Sequence, residues 1–119
     1  MAFSLSIRML PETCRSLAFG GIGAGYVAVG TPLDNPARII LIQNLTDADL
    51  MFSLDGVHDH FPLGSINCFV LDIAANKTKS EGFFLAEGES LYVKRIGIPA
   101  SGAVYFTSFY GKVDELQEP

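Results

Sequence analysis

The sequence predicts an all-β chain: a single antiparallel β-sandwich or jelly-roll-like barrel of about seven to nine short strands, with an extended N-terminal segment. Three observations point there. Apolar and polar residues alternate with a period of two and not 3.6. Turn signals made of Gly, Pro, Asn and Asp recur at roughly 8–12-residue spacing. No stretch carries the long amphipathic pattern that the helix of a βαβ unit needs.

Phe3-Ser4-Leu5-Ser6-Ile7-Arg8 alternates strictly and reads as a half-buried strand ended by Pro11. Residues 15–19 read as a second strand or a helical turn. Gly20-Gly21-Ile22-Gly23-Ala24-Gly25 reads as a loop. Residues 26–29 form a short strand stopped by Gly30-Thr31-Pro32, and Asp34-Asn35-Pro36 turns the chain. Arg38-Ile39-Ile40-Leu41-Ile42-Gln43 is β-branched and apolar on both faces, hence an inner strand. After a turn over residues 44–47, Leu50, Phe52 and Leu54 alternate with Met51 and Ser53. Asp55-Gly56 signals a hairpin, with residues 57–60 returning.

Pro62 and Gly64 then read as breaks. Residues 66–73 form a strand with Phe69, Leu71 and Ile73 on one face and Ile66, Cys68 and Val70 on the other. Residues 74–82 read as an exposed loop, 83–86 as a short strand and Glu87-Gly88-Glu89 as a turn. Residues 90–96 form a strand, 99–102 a loop and 103–110 a long aromatic strand. The chain thus reads as one domain with three parts: an N-terminal arm and glycine-rich segment (1–37), a core sandwich (38–110) and an acidic tail without core pattern (111–119). Ile40, Ile42, Phe52, Leu54, Phe69, Leu71, Val93 and Phe106 are the expected core.

Composition narrows the function classes. In 119 residues, 49% are hydrophobic and 18% charged, which excludes disorder of the whole chain. The net charge of −5 argues against a broad basic face for nucleic acid. Residues 1–10 alternate and hold no signal h-region. The two cysteines, Cys14 and Cys68, sit among apolar neighbours and read as buried, reduced thiols, with a bridge between them left open. The Asn44-Leu45-Thr46 and Asn76-Lys77-Thr78 sequons read as turn residues.

Residues 16–33 carry no charge, but five glycines and Pro32 make a membrane-spanning helix untenable. We expect residues 17–29 to lie at a subunit interface, anchored by Phe19, Ile22, Tyr26 and Val29. A long uncharged stretch is rarely left in water, and glycine needs contacts to offset its ordering entropy.

Each candidate for chemistry has a plainer reading. Gly23-Ala24-Gly25-Tyr26-Val27-Ala28 fits a relaxed dinucleotide fingerprint, but Val29-Gly30-Thr31-Pro32 leaves no room for the helix that site requires. His58-Asp59-His60 would put two imidazoles on one face of a strand, as in cupin-type barrels. No third histidine follows, and Asp55 or Glu81 would have to substitute, so a polar hairpin end is expected and no metal site. Asp47 with Asp49, and Glu87 with Glu89, read as solvated turn acids and not as a glycosidase pair. No G-x-S-x-G occurs. There is no tryptophan, so a sugar platform would fall to Tyr92, Tyr105 and Tyr110. No catalytic residue and no cofactor is expected.

Residues 38–110 resemble small virion structural proteins of tailed bacteriophages. The resemblance lies in the run from Arg38-Ile39-Ile40-Leu41-Ile42-Gln43-Asn44 through Leu45-Thr46-Asp47-Ala48 to Ser53-Leu54-Asp55-Gly56. It continues in Leu91-Tyr92-Val93-Lys94 and in Pro99-Ala100-Ser101-Gly102-Ala103-Val104-Tyr105. It is a pattern of strand ends and turns.

It implies a β-sandwich present in many copies in the particle, made in the host cytoplasm and ending in the virion. The expected partners are copies of itself and other virion proteins (portal, capsid or tail proteins), with no specific nucleic-acid binding and no membrane. The first expectation is a non-enzymatic component of a head-tail neck, connector or tail ring. The alternatives are a capsid decoration or cement protein, a soluble carbohydrate- or peptide-binding module, and a cupin-type enzyme. The net negative charge suits a ring around passing DNA and a capsid surface equally.

Overall fold

A computed structural model describes residues 4–72 and 85–116, which hold nine strands. These are β1 (Ser4–Pro11), β2 (Arg15–Ala18), β3 (Val27–Ala28), β4 (Ile39–Asn44), β5 (Leu50–Ser53), β6 (Phe61–Leu63), β7 (Asn67–Asp72), β8 (Tyr92–Arg95) and β9 (Ala103–Leu116). Among the described residues the only helical element is a 3-10 turn, Phe19–Gly21, directly after β2. The strand-or-helical-turn ambiguity at residues 15–19 therefore resolves into both.

The strands form two antiparallel sheets. In the larger, β9 lies between β4 on one side and β1 and β2 on the other, and β7 extends the sheet beyond β4. The smaller sheet has the order β3-β8-β5-β6. The sheets pack face to face through alternate residues. Ile40, Ile42, Val104 and Phe106 come from the larger sheet, and Leu50, Phe52, Leu91 and Val93 from the smaller. Full burial of Phe52 and Phe106 contributes about 2–3 kcal/mol each.

Ile22, Val29, Leu33 and Ala37 close the core from the connecting segments. Of the eight expected core residues, five are buried and Leu54 and Phe69 are half-buried. Leu71 is a correction: it is 36% exposed, on β7 at the edge of the larger sheet.

Three further expectations need correction. Residues 57–60 are not a return strand; the return is β6, and Pro62 lies inside it opposite Met51. Proline is tolerated there because β6 is a sheet edge. Cys14 and Cys68 are free and exposed, Cys68 because it alternates with the inward-facing Phe69 on β7. The supposed tail is strand as far as Leu116, held by β1 through the register Ser4↔Leu116 to Pro11↔Phe109. The expected loop at 74–82, the Asn76 sequon, Phe83 and Phe84 lie outside the described residues, as do Ile73, Phe3 and residues 117–119.

The turn motifs meet in pairs. Asn44 is fully buried, and its amide donates to the carbonyls of Ala48, Leu63 and Gly64. Its Oδ1 accepts from the Thr46 N–H and hydroxyl. Asp47 Oδ1 accepts from the N–H groups of Ala100 and Ser101, which ties the Thr-Asp-Ala turn to the Pro-x-x-Gly loop. Gly102 sits at φ +90°, where any Cβ would run into the Leu45 carbonyl oxygen. Gly102→Ala combines a left-handed penalty with a backbone clash, and the expected loss is about 3 kcal/mol by denaturant unfolding.

At the other end of β5, the Ser53 hydroxyl accepts from the Asp55 and Gly56 N–H groups and Asp55 Oδ1 from the Val57 and His58 N–H groups, and a Cβ on Gly56 would lie 3.2 Å from the Tyr92 ring. The Ser-x-Asp-Gly and Leu-Tyr-Val-Lys segments are thereby joined.

Candidate assembly surface

Strand β4 is apolar on both sides, and the fold covers one of them. Ile40, Ile42 and Asn44 point into the sandwich. Ile39, Leu41 and Gln43 point out, only half-buried. The register adds Cys68 and Val70 from β7 and Tyr105, Thr107 and Phe109 from β9 to the same outer face. Val70 is 60% exposed. Among the residues that β4, β7 and β9 place there, Asp72, at the corner beside Ile39, brings the one charge. A sheet face carrying two aromatic and three aliphatic side chains and one charge at its corner has the composition of an interface core.

The second feature is an arm. β4 accompanies β9 only from Val104 to Phe109. Among the described residues, the part of β9 from 110 to 116 pairs with β1 alone. The result is a two-stranded ribbon reaching roughly 23 Å past the sandwich at ~3.3 Å per residue. It accounts for a molecule 61 Å long and 25 Å across. A two-stranded ribbon by itself is only marginally stable in water. Met9, on the ribbon, is 46% exposed.

The third feature lies at the opposite end of β9. The loops after β4, β6 and β8 and the 3-10 turn are bonded to one another there, through Phe19 N–H to Gly102 O, Leu45 N–H to Ala103 O, Ile96 N–H to Asp49 O and Ser65 Oγ to Thr46 O. These loops expose Phe19, Leu45, Ile66, Ile96 and Ile98. Ile66 adopts φ 57°, a left-handed conformation that costs a β-branched residue about 1–2 kcal/mol.

The four expected anchors divide. Ile22 and Val29 lie in the core of their own sandwich, with Val29 N–H donating to Leu91 O. Phe19 is 39% exposed at the loop end. Tyr26 is half-buried on the outer side of the smaller sheet, where its hydroxyl donates to Asp59 and its ring lies under Lys94 Nζ at 4.8 Å. The glycine-rich segment is therefore held mainly by β8.

His58 and His60 do not share a strand face. The His58 ring meets Asp55 Oδ2 at 2.7 Å, while His60 Nδ1 accepts from Leu54 N–H. Hydrogen bonds from His58 and Val57 and from the Ser53 hydroxyl hold the Asp55 carboxyl well below the usual range. Among the described residues no group of three or more His, Cys, Asp or Glu side chains is placed to hold a metal ion.

Asp59 also meets Lys94 Nζ at 2.9 Å, so it pins the 55–60 loop across the outer face of the smaller sheet. Burial, the hydrogen bond to Asp59 and its negative charge push the Tyr26 hydroxyl up to about 12 from 10.0. Its folded pKa is raised, so its contribution to stability is complete below pH 10 and is lost as pH rises through about 12. The phenol carbon resonance of Tyr26 is expected to titrate near 12, and in Asp59→Asn at a lower pH.

No family model matches the chain, and neither a curated protein nor a solved structure matches it. The outer face was legible in the doubly apolar β4. The ribbon was not, because nothing in residues 111–116 alternates as a buried strand does.

Proposed function

We propose that this chain is a non-enzymatic structural component of a tailed-phage particle, present in many copies in a head-tail neck, connector or tail ring. The observation that carries this reading is the two-stranded ribbon, a marginal element alone, set at the opposite end of the molecule from a cluster of five exposed apolar side chains. A contact between the ribbon and a different surface of the next copy is heterologous, and heterologous contacts close into rings when the rotation from copy to copy closes.

The strand-end pattern of residues 38–110, which resembles that of phage virion proteins, agrees with this reading. So do the carboxylates: Asp47, Asp55, Asp59 and Glu12 are engaged in holding loops. The native mass of the purified chain tests the proposal. A ring of about six or twelve copies supports it. A trimer favours a capsid decoration protein, and a monomer at all concentrations a soluble binding module.

A further inference from the structure

We propose that the ribbon of one copy adds its outer strand, β1, to the open edge of β7 in the next copy. The inference rests on the multi-copy reading above and names the acceptor.

The two sheets treat their edges differently. The smaller sheet ends in β3, two residues long, and in β6, three residues long with Pro62 in it. Short and proline-bearing edges are how proteins keep a sheet from recruiting another strand. The larger sheet has neither device at β7. That strand runs six residues, Asn67-Cys68-Phe69-Val70-Leu71-Asp72, with no proline, no lysine and no charge before Asp72. Among the described residues its one partner is β4. Val70 and Leu71 are exposed along it. An edge strand of this length and composition is the kind that accepts a further strand.

The ribbon supplies a fitting strand. β1 spans eight residues and, among the described residues, pairs with β9 alone, so its outer edge is open over a length that covers β7. Exposed Met9 offers an apolar contact for Val70 or Leu71. β7 belongs to the sandwich and β1 to the ribbon beyond it, so one copy cannot satisfy both edges by itself. Addition of β1 to a neighbour's β7 turns a two-stranded ribbon into part of a continuous sheet, which removes its marginality.

The test uses the exposed native Cys68 in the full-length chain. With Cys14→Ser as background, single cysteines are placed on β1 as Arg8→Cys, Met9→Cys and Leu10→Cys, and the assembled protein is oxidised mildly. Disulfide formation requires Cα atoms within about 7 Å. A ladder of covalent oligomers through Cys68 at one or more β1 positions, absent with Leu45→Cys at the loop end, is the expected result. Val70→Lys, a gatekeeper charge at an exposed position, is expected to abolish the oligomer while circular dichroism stays that of the native chain. An intact oligomer that gives no Cys68 ladder and survives Val70→Lys overturns this inference and leaves the assembly reading standing. A wild-type chain that stays monomeric overturns both.

Discussion

Ile22→Asp is expected to unfold the chain. Ile22 is 6% exposed and packs in the core cluster with Val29, Leu33 and Ala37. An aspartate there must either stay charged in an apolar site or take up a proton, and it also forfeits the aliphatic packing. Large-to-small loss in a core costs about 2–5 kcal/mol before the charge is counted, against a total stability on the order of 5–15 kcal/mol. The circular dichroism of the variant should show loss of strand signal and no cooperative melt. A folded Ile22→Asp subunit that merely fails to assemble would return Ile22 to the interface role its uncharged, glycine-rich surroundings suggest.

Arg15→Met is expected to cost about 3–5 kcal/mol, the usual result of removing one partner of a buried ion pair. Arg15 is inward-facing on β2 and 6% exposed. Its Nε donates to Thr31 O at 2.6 Å, and its Nη2 to Pro32 O at 2.8 Å and to Glu12 Oε1 at 2.7 Å. Glu12 in turn accepts from the Asn35 amide and the Ser108 hydroxyl. One guanidinium thus joins the β1–β2 connection, residues 31–35 and β9. Gly30, at φ +73°, lets the chain pass close to Arg15, where a Cβ would lie 2.7 Å from the Arg15 Cβ.

Burial raises the Glu12 carboxyl pKa, but the hydrogen bonds from Arg15, Asn35 and the Asp34 N–H and the Arg15 charge more than offset this and hold it below 4.5. A depressed folded pKa gives stability that is present above pH 4.5 and lost as pH falls through the folded value. Arg15→Met should therefore flatten the acid limb of the stability curve as well as lower its plateau. Urea midpoints measured between about pH 2 and pH 7 would show both.

The sequence announced the sandwich through residues whose periodicity is local. Ile40 and Ile42, Leu50 and Phe52, and Leu91 and Val93 alternate within their own strands and are buried as that alternation requires. Features that depend on distant pairing were not legible. β6 carries Pro62, which reads as a break until the strand is known to be an edge. Residues 111–116 read as a tail until β1 is seen beside them. Cys68 and Leu71 have apolar neighbours in sequence, but the strand that holds them lies at the margin of the sheet. Ile22 and Val29 sit among glycines, a setting that reads as an interface, but β8 and its flanks in the same chain hold the segment. Asp47 and Glu87 fall at turns as their neighbours suggest, whereas residues 57–60, which read as a return strand, form a loop held by Asp55 and Asp59, partners that only the fold brings together.

Amide hydrogen exchange as a function of protein concentration tests the assembly account most directly. The account expects the ribbon amides of residues 8–10 and 110–112 to exchange fast in dilute, dissociated protein, where two strands alone give little protection. On assembly these amides and those of β7 should slow together, while the core strands β4 and β5 stay protected throughout. Equal and strong protection of the ribbon at every concentration would contradict the account, since the ribbon would then be stable without a neighbour.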